Sequence, residues 1–282
     1  MRRSALQSYK EKIVMLALLK KIYRYVANPT FRRQKNEYRR IKRIPRFTPF
    51  TTSILGKQVH AIDSPSFLYM YREIFRNEIY RFTCESTSPL ILDCGGNIGM
   101  STIYFKTLYP AARIITFEPD QEVVKILKKN IKAHDLDKVR VIEKGVWKEK
   151  TELDFIISGS DGSSIVTDKP GISKSTIQTV RLRDYIQSEE KVDFLKIDIE
   201  GAETDVILDC QDILYRIDHI FVEYHSFVNH VQTLDIIVTI LKNNGFRVHI
   251  HTGLTSAQPF YHRRTRLGQD LQLNIFAYKD SN

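Results

Sequence analysis

PLILDCGGNIGMSTIYFKTLYPAARIITFEPD, residues 89–120, places two short apolar runs on either side of a turn and a helix-compatible segment. Leu90-Ile91-Leu92 ends at Asp93 and reads as a buried strand. Cys94-Gly95-Gly96-Asn97-Ile98-Gly99 follows. Glycine takes φ > 0 there at no steric cost, and asparagine tolerates it better than most residues. Ser101 and Thr102 stand where a helix would start, and Ile114-Ile115-Thr116-Phe117 forms a second strand closing on Glu118-Pro119-Asp120. Such a unit leaves backbone bare at the C-terminal end of its first strand, where a nucleotide-like ligand can lie. Glu118 falls at the spacing of about 20 residues expected of an acid that bonds ribose hydroxyls.

The turn reads D-x-G-x-N-x-G rather than G-x-G-x-x-G. Asp93, at the strand tip, suits a cationic amino-acid tail and would repel a pyrophosphate, although a helix N-terminus favours one. A tight turn that binds nothing is the plain alternative. Cys94 lies inside the turn as a small residue that fits, with a nucleophilic role as the lesser reading.

At 282 residues the chain suits one large domain with an appendage, and 42% apolar residues is enough to bury a core. Cys84, Cys94 and Cys210 have neither C-x-x-C nor zinc spacing, which points to a reducing compartment rather than a disulfide framework. The net charge of +10 is unevenly spread: residues 1–50 carry 15 Lys and Arg against Glu11 and Glu37, so the body of the chain is slightly acidic. Residues 1–48 read as a basic, helix-rich arm. Its apolar run Ile13–Leu19 is seven residues, against the ~20 needed to cross a bilayer. Lys20, Lys21 and Arg24 follow it without a small-x-small cleavage site, which argues against export and for a cytoplasmic protein, peripheral at a membrane if the arm docks. The arm fits an anionic membrane or an acidic partner, or is a solvated helical extension. Interleaved tyrosines also suit a phosphate backbone, but no nucleic-acid motif accompanies them.

Residues 49–88 read as a lead-in. Within them Ser66–Phe82 has helical spacing and sits where it can fold over a ligand as a lid, though aromatics so spaced are more often core. Residues 89–282 form the main domain. Gln121–His134 is an amphipathic helix, and Val139–Ile142 a third strand leading to Gly145, Val146 and Trp147. Leu153–Ile157 begins another strand, and Ser158–Thr167 is a Gly/Ser-rich hairpin or loop. VDFLKIDIEGAE, residues 192–203, is a buried strand followed by a turn and a helix running to Leu214. On extended backbone Asp198 and Glu200 point the same way, raising each other's pKa and suiting either proton acceptance or a metal. IFVEYH, residues 220–225, presents Glu223 and His225 on one face. Val231–Asn244 is a helix, and Phe246–His251 and Leu271–Tyr278 are the last strands. The loop between them carries His262, Arg263, Arg264 and Arg266 and can reach an acidic substrate.

Taken together and in this order, DCGGNIGMST, FEPD, VRLRDYI…VDFLKIDIEGAE and EYH resemble the FkbM-family methyltransferases. The resemblance covers roughly Leu90 to His225, with a tail towards Tyr278, and leaves the arm outside it. It implies an α/β, Rossmann-like class I methyltransferase fold: a seven-stranded, mostly parallel sheet with helices on both faces and an antiparallel last strand. It also implies S-adenosyl-L-methionine as cofactor and methyl transfer to oxygen, often on a sugar, glycan or secondary metabolite. By the match Asp93, Gly95, Asn97 and Gly99 would hold the methionine portion, with Gly96, Ser101 and Thr102 as further cofactor-binding candidates. Glu118 and Pro119 would flank the ribose, and Gly145 and Val146 the adenine.

An alcohol acceptor needs a base within hydrogen-bond reach. Asp198 is the first candidate for base or substrate anchor and His225, as a neutral imidazole, the second. Glu200 and Glu223 would orient them. A satisfied rim histidine is the plain alternative for His225, and no ligand spacing requires a metal. A lipid- or polyanion-binding protein with a vestigial pocket is the rival reading. A nucleic-acid methyltransferase ranks below it, because the N/D-P-P-Y/F signature is absent.

Overall fold

A computed structural model describes residues 28–156 and 174–279. The apolar run Ile13–Leu19 and the loop Ser158–Thr167 lie outside the described residues. What is described of the arm is α1 (Pro29–Ile41), with the Asn28 side chain accepting the Phe31 N–H at its start and Ile41 buried at its end. Among the described residues no helix is long and apolar enough to cross a membrane.

Residues 49–88 contain more than the helix expected from spacing. β1 (Phe50–Leu55) and β2 (Lys57–Ala61) form a hairpin, turning at Gly56 with φ +91°. α2 (Ser64–Met70) follows, its N-terminus capped by Asp63, which accepts from the Ser66 N–H and hydroxyl. It widens into a π-helical turn over Tyr71–Arg76. The change in pitch rotates the side chains after Met70 relative to a continuous α-helix, and such insertions concentrate at functional sites.

The central sheet is built from β3 (Leu90–Cys94), β4 (Arg113–Phe117), β5 (Val139–Ile142), β9 (Val192–Ile197), β10 (Ile217–Phe227), β11 (Arg247–Leu254) and β12 (Gln269–Tyr278). Its order is β11-β12-β10-β9-β3-β4-β5, with β12 antiparallel to both neighbours and the other pairs parallel. This is the strand order of the class I methyltransferase fold. A smaller sheet, β6 (Gly145–Trp147), β8 (Lys174–Arg181) and β7 (Glu152–Ile156), stands beside it. Sequence spacing showed only part of that sheet.

All five residues of β3 are buried, because both faces of the sheet are covered. On one face pack α5 (Leu182–Gln187), α6 (Glu203–Cys210) and α7 (Leu234–Asn243), through residues such as Ile186, Val206, Ile207 and Leu241. On the other lie the hairpin, α2 and α3 (Met100–Leu108), centred on Phe67, Phe105, Phe194 and Phe221. α4 (Gln121–Ala133) is capped by Asp120, whose carboxylate accepts the Glu122 and Val123 N–H groups. α6 and α7 are shorter than their sequence windows. α6 ends at Cys210, before the Leu214–Arg216 3-10 turn, and α7 begins only at Leu234. The parallel strands all point their C-terminal ends at one edge of the sheet, and there the cleft opens.

Candidate active site

The first half of the cleft is the turn after β3. The Phe117 carbonyl accepts both the Gly95 and the Gly96 N–H, so the turn is stitched to the end of β4. From the other side the Lys196 ammonium donates to the Gly95 carbonyl at 2.8 Å and the Cys94 carbonyl at 3.3 Å. Gly95 has φ +86°, and a Cβ there would stand 1.9 Å from the Asp198 carbonyl oxygen. Gly96 leaves no more room, since a Cβ would meet Thr116 Oγ1 at 2.0 Å. Both glycines are therefore fixed by close packing as well as by the backbone path.

Glu118, just past β4, closes this half. Its carboxylate accepts the Asn97 N–H at 2.9 Å and the Asp120 N–H at 3.0 Å, yet it still lines the cleft. Burial pushes Glu118 up to about 7, although the two N–H donors pull the other way. Gly145 and Val146, with Ile177 and Val123, add an apolar wall beside it.

The second half is a wall of ionisable groups at the tips of β9 and β10. Lys196 is buried, 3.2 Å from Asp198 Oδ2 and 3.5 Å from Asp93 Oδ1. Burial alone would lower its pKa, but Asp198 and Asp93 outweigh that and hold it above its usual value. His225 Nδ1–H donates to the buried Glu203 carboxylate at 3.0 Å, and its Nε2 faces Glu223 at 3.5 Å and Glu200 at 3.7 Å. Glu203 also accepts the Gly201 and Ile199 N–H groups, which fixes the turn leaving β9. Burial pushes Glu200 up to about 8; His225 opposes the shift, while Asp198 and Glu223 reinforce it. Burial and then Asp198 also raise Glu223. Tyr69, Glu73 and Tyr80, from α2 and the segment after it, cover this half of the cleft.

Several sequence expectations change at this point. Asp93 is fully buried and does not reach the cleft: its carboxylate accepts the Ser101 hydroxyl at 2.6 Å and the Thr102 hydroxyl at 3.1 Å. All three brace the underside of the turn, although Ser101 also touches the cleft. Gly99 is left-handed, with φ +88°, and packs on Leu127 rather than facing the cleft. Gly95, Gly96, Asn97, Glu118, Pro119, Gly145 and Val146 all line it.

Asp198 and Glu200 do meet in the cleft, but not as neighbours on extended backbone. β9 stops at Ile197, and Glu200 has φ +57° in the turn with Gly201 at +107°. The expectation of a neutral His225 is also corrected. Burial would favour the neutral ring, but Glu200 and Glu203 outweigh it and hold the imidazole well above its ordinary pKa. Cys94 is buried in β3 and burial pushes its thiol up, so it is no nucleophile.

Lys196 and Glu203 were missed by sequence reasoning. The one available signal for Lys196 was a lysine inside an otherwise apolar strand, an expensive placement without buried partners. Glu203 carried no signal beyond its place in the first turn of a helix.

The residues present fit an adenosyl group. Glu118 is a buried acceptor facing the cleft and suits a vicinal diol, while Val146, Ile177 and Val123 offer flat apolar contact for a purine. The carboxylates across the cleft suit a cationic centre.

A family model described as the methyltransferase FkbM domain matches residues 93–248. "Methyltransferase 1" of Beauveria bassiana is 27% identical over 204 residues, which span 64% of this chain and 81% of that protein. "Methyltransferase sdnD" of Sordaria araneosa is 28% identical over 182 residues, 52% of this chain and 70% of its own length. "2-O-methyltransferase NoeI" of Sinorhizobium fredii is 28% identical over 159 residues, 50% of this chain and 65% of its own length.

Proposed function

The chain belongs to the FkbM-domain family of S-adenosylmethionine-dependent methyltransferases, and from that premise we propose that it methylates a hydroxyl oxygen on a small acceptor, a sugar, glycan or secondary metabolite. One observation carries the choice of oxygen. Three carboxyl groups, Asp198, Glu200 and Glu223, line the cleft opposite the glycine turn, and Asp198, paired with the Lys196 ammonium, is placed to accept a proton leaving an alcohol. A neutral amine needs no such base before it attacks, whereas an alcohol does. The name of one relative, a 2-O-methyltransferase, agrees with this reading.

When bound, the cofactor supplies an electrophilic methyl group on a sulfonium, so the protein has mainly to align and deprotonate. The turn Gly95–Asn97 and Glu118 would hold the cofactor, the turn through its backbone and Glu118 through its carboxylate. Asp198, its carboxylate fixed 3.2 Å from Lys196, accepts the acceptor's proton or its hydrogen bond. Glu223, which accepts from the Gln272 amide, and Glu200, bonded by Gln269 at 3.4 Å, orient the acceptor. His225 positions these carboxylates instead of acting as a base. Tyr69, Glu73 and Tyr80 narrow the entrance and exclude water.

The test is turnover of S-adenosylmethionine with paired acceptors, each hydroxyl compound beside its amine analogue, reading S-adenosylhomocysteine release and the site of methylation. Methyl ethers from the hydroxyl series are expected. Turnover confined to the amines would overturn the oxygen assignment.

A further inference from the structure

We propose that Asp198, Glu200 and His225 form a divalent-cation site in the acceptor half of the cleft, with Glu203 as the residue that positions the histidine. One ligand atom from each of the three lies within 4.8 Å of the others. Ligands at ~2.1 Å from one cation stand ~3.0 Å apart in cis and ~4.2 Å apart in trans, so side-chain shifts of about 1–2 Å bring the three to a common centre. His225 is 6% exposed, and its Nδ1–H is held by the Glu203 carboxylate. That leaves Nε2 aimed at Glu200 and Glu223, at 3.7 and 3.5 Å. A carboxylate on one ring nitrogen that turns the other towards a cation is the usual support of a metal-bound imidazole.

Two further features point to a missing positive charge. Asp198, Glu200, Glu203 and Glu223 converge on one lysine and one imidazole, and Lys196 is already shared with Asp93. A cation on Nε2 takes the place that a proton would otherwise occupy. In addition, the Asn274 side-chain oxygen is buried without a hydrogen-bond partner. Asn274 is paired directly with Glu223 across β10 and β12, and residues so paired share a face of the sheet. An acceptor atom with nothing to accept, on the sheet face that carries Glu223 and His225, is a further group that a cation's water can bond.

Two carboxylates and one imidazole suit Mn2+ ahead of Mg2+, which favours oxygen throughout, and Asp198 and Glu200 are each about one quarter exposed, so coordination positions face the cleft. A cation there would polarise the acceptor hydroxyl. That role rests on the oxygen-transfer reading above, whereas the site itself does not.

The experiment uses the full chain saturated with S-adenosylhomocysteine, titrated with MnCl2, with free Mn2+ read by its electron paramagnetic resonance signal. One Mn2+ per chain is expected, displaced by excess Mg2+. Glu200→Gln, which keeps the shape of the side chain, is expected to abolish the site. Glu203→Gln keeps all three ligands and is expected to weaken Mn2+ binding by about 10–100-fold at unchanged S-adenosylhomocysteine affinity. His225→Gln should behave as Glu200→Gln where its melting temperature shows it folded. Absence of Mn2+ binding by protein that still binds S-adenosylhomocysteine would overturn the proposal. So would equal binding by wild type and Glu200→Gln. Because no acceptor is present, Mn2+ binding without hydroxyl methylation would refute the acceptor reading alone.

Discussion

The glycine turn and the carboxylate wall face each other across one cleft, yet each is held by different forces. Backbone defines the turn: two amides share one carbonyl, and glycines pass where a Cβ would collide within 2.0 Å. The wall is defined by charge, four carboxylates packed around a buried lysine and a buried imidazole. Lys196 belongs to both, since its ammonium bonds the turn's carbonyls and neutralises Asp198 and Asp93. A site made of backbone is broken by adding atoms, and one made of charge by removing a partner.

Lys196→Met is the largest test of that contrast. It leaves Asp93 buried without its cation, and breaking a buried pair costs about 3–5 kcal/mol. Urea unfolding is expected to show a loss of that order. A loss below ~1 kcal/mol, the range of a surface pair, would mean that charge does not hold the wall.

Gly95→Ala comes next. Its Cβ would stand 1.9 Å from the Asp198 carbonyl oxygen at a φ of +86°. Calorimetric affinity for S-adenosylmethionine is expected to fall about 100-fold, or ~2.7 kcal/mol. Affinity within threefold of wild type would show that the turn does not depend on close packing.

Glu118→Gln should have a smaller effect on binding, about tenfold or ~1.4 kcal/mol. It also carries a pH signature. Burial pushes the folded-state pKa of Glu118 to about 7, above the ordinary 4.5. The folded protein therefore keeps this proton to higher pH than the unfolded chain does. Its contribution to stability is full below pH 4.5 and is lost as pH rises through about 7. The decline in melting temperature of the cofactor-free protein over that interval should flatten in the glutamine variant. An unchanged slope would remove Glu118 as its source.

Arg113→Ala marks the low end. Its pairing with Glu189 at 2.5 Å is on the surface, with the arginine about half exposed, and such pairs contribute ~0–1 kcal/mol. A larger loss would mean that charges remote from the cleft also hold the fold.

The two halves also differ in how much of them the sequence revealed. The turn, Glu118 and the strands around them were legible because each depends on residues a few positions apart, and left-handed backbone has a compositional mark. Asp93 was legible as important but assigned to the wrong side: nothing local says whether a strand-tip carboxylate points at a ligand or back at Ser101 and Thr102. Glu200 was placed correctly for the wrong reason, since its position comes from the turn at Gly201 and not from strand alternation. The hairpin Phe50–Ala61 was hidden in ordinary composition, and the π-helical turn after Met70 has no sequence rule.

By itself the sequence determined the order of the central-sheet strands and their turns, the nucleotide-type cradle and the identity of the acids near it. Hydrophobic periodicity and glycine placement are short-range properties, and they are carried in the sequence. Only the tertiary structure decided which acids meet, that Lys196 bridges the two halves, and that Glu203 turns His225 towards the cleft. Those outcomes depend on strands far apart in the chain lying side by side. A charge there is set by neighbours that sequence distance does not disclose.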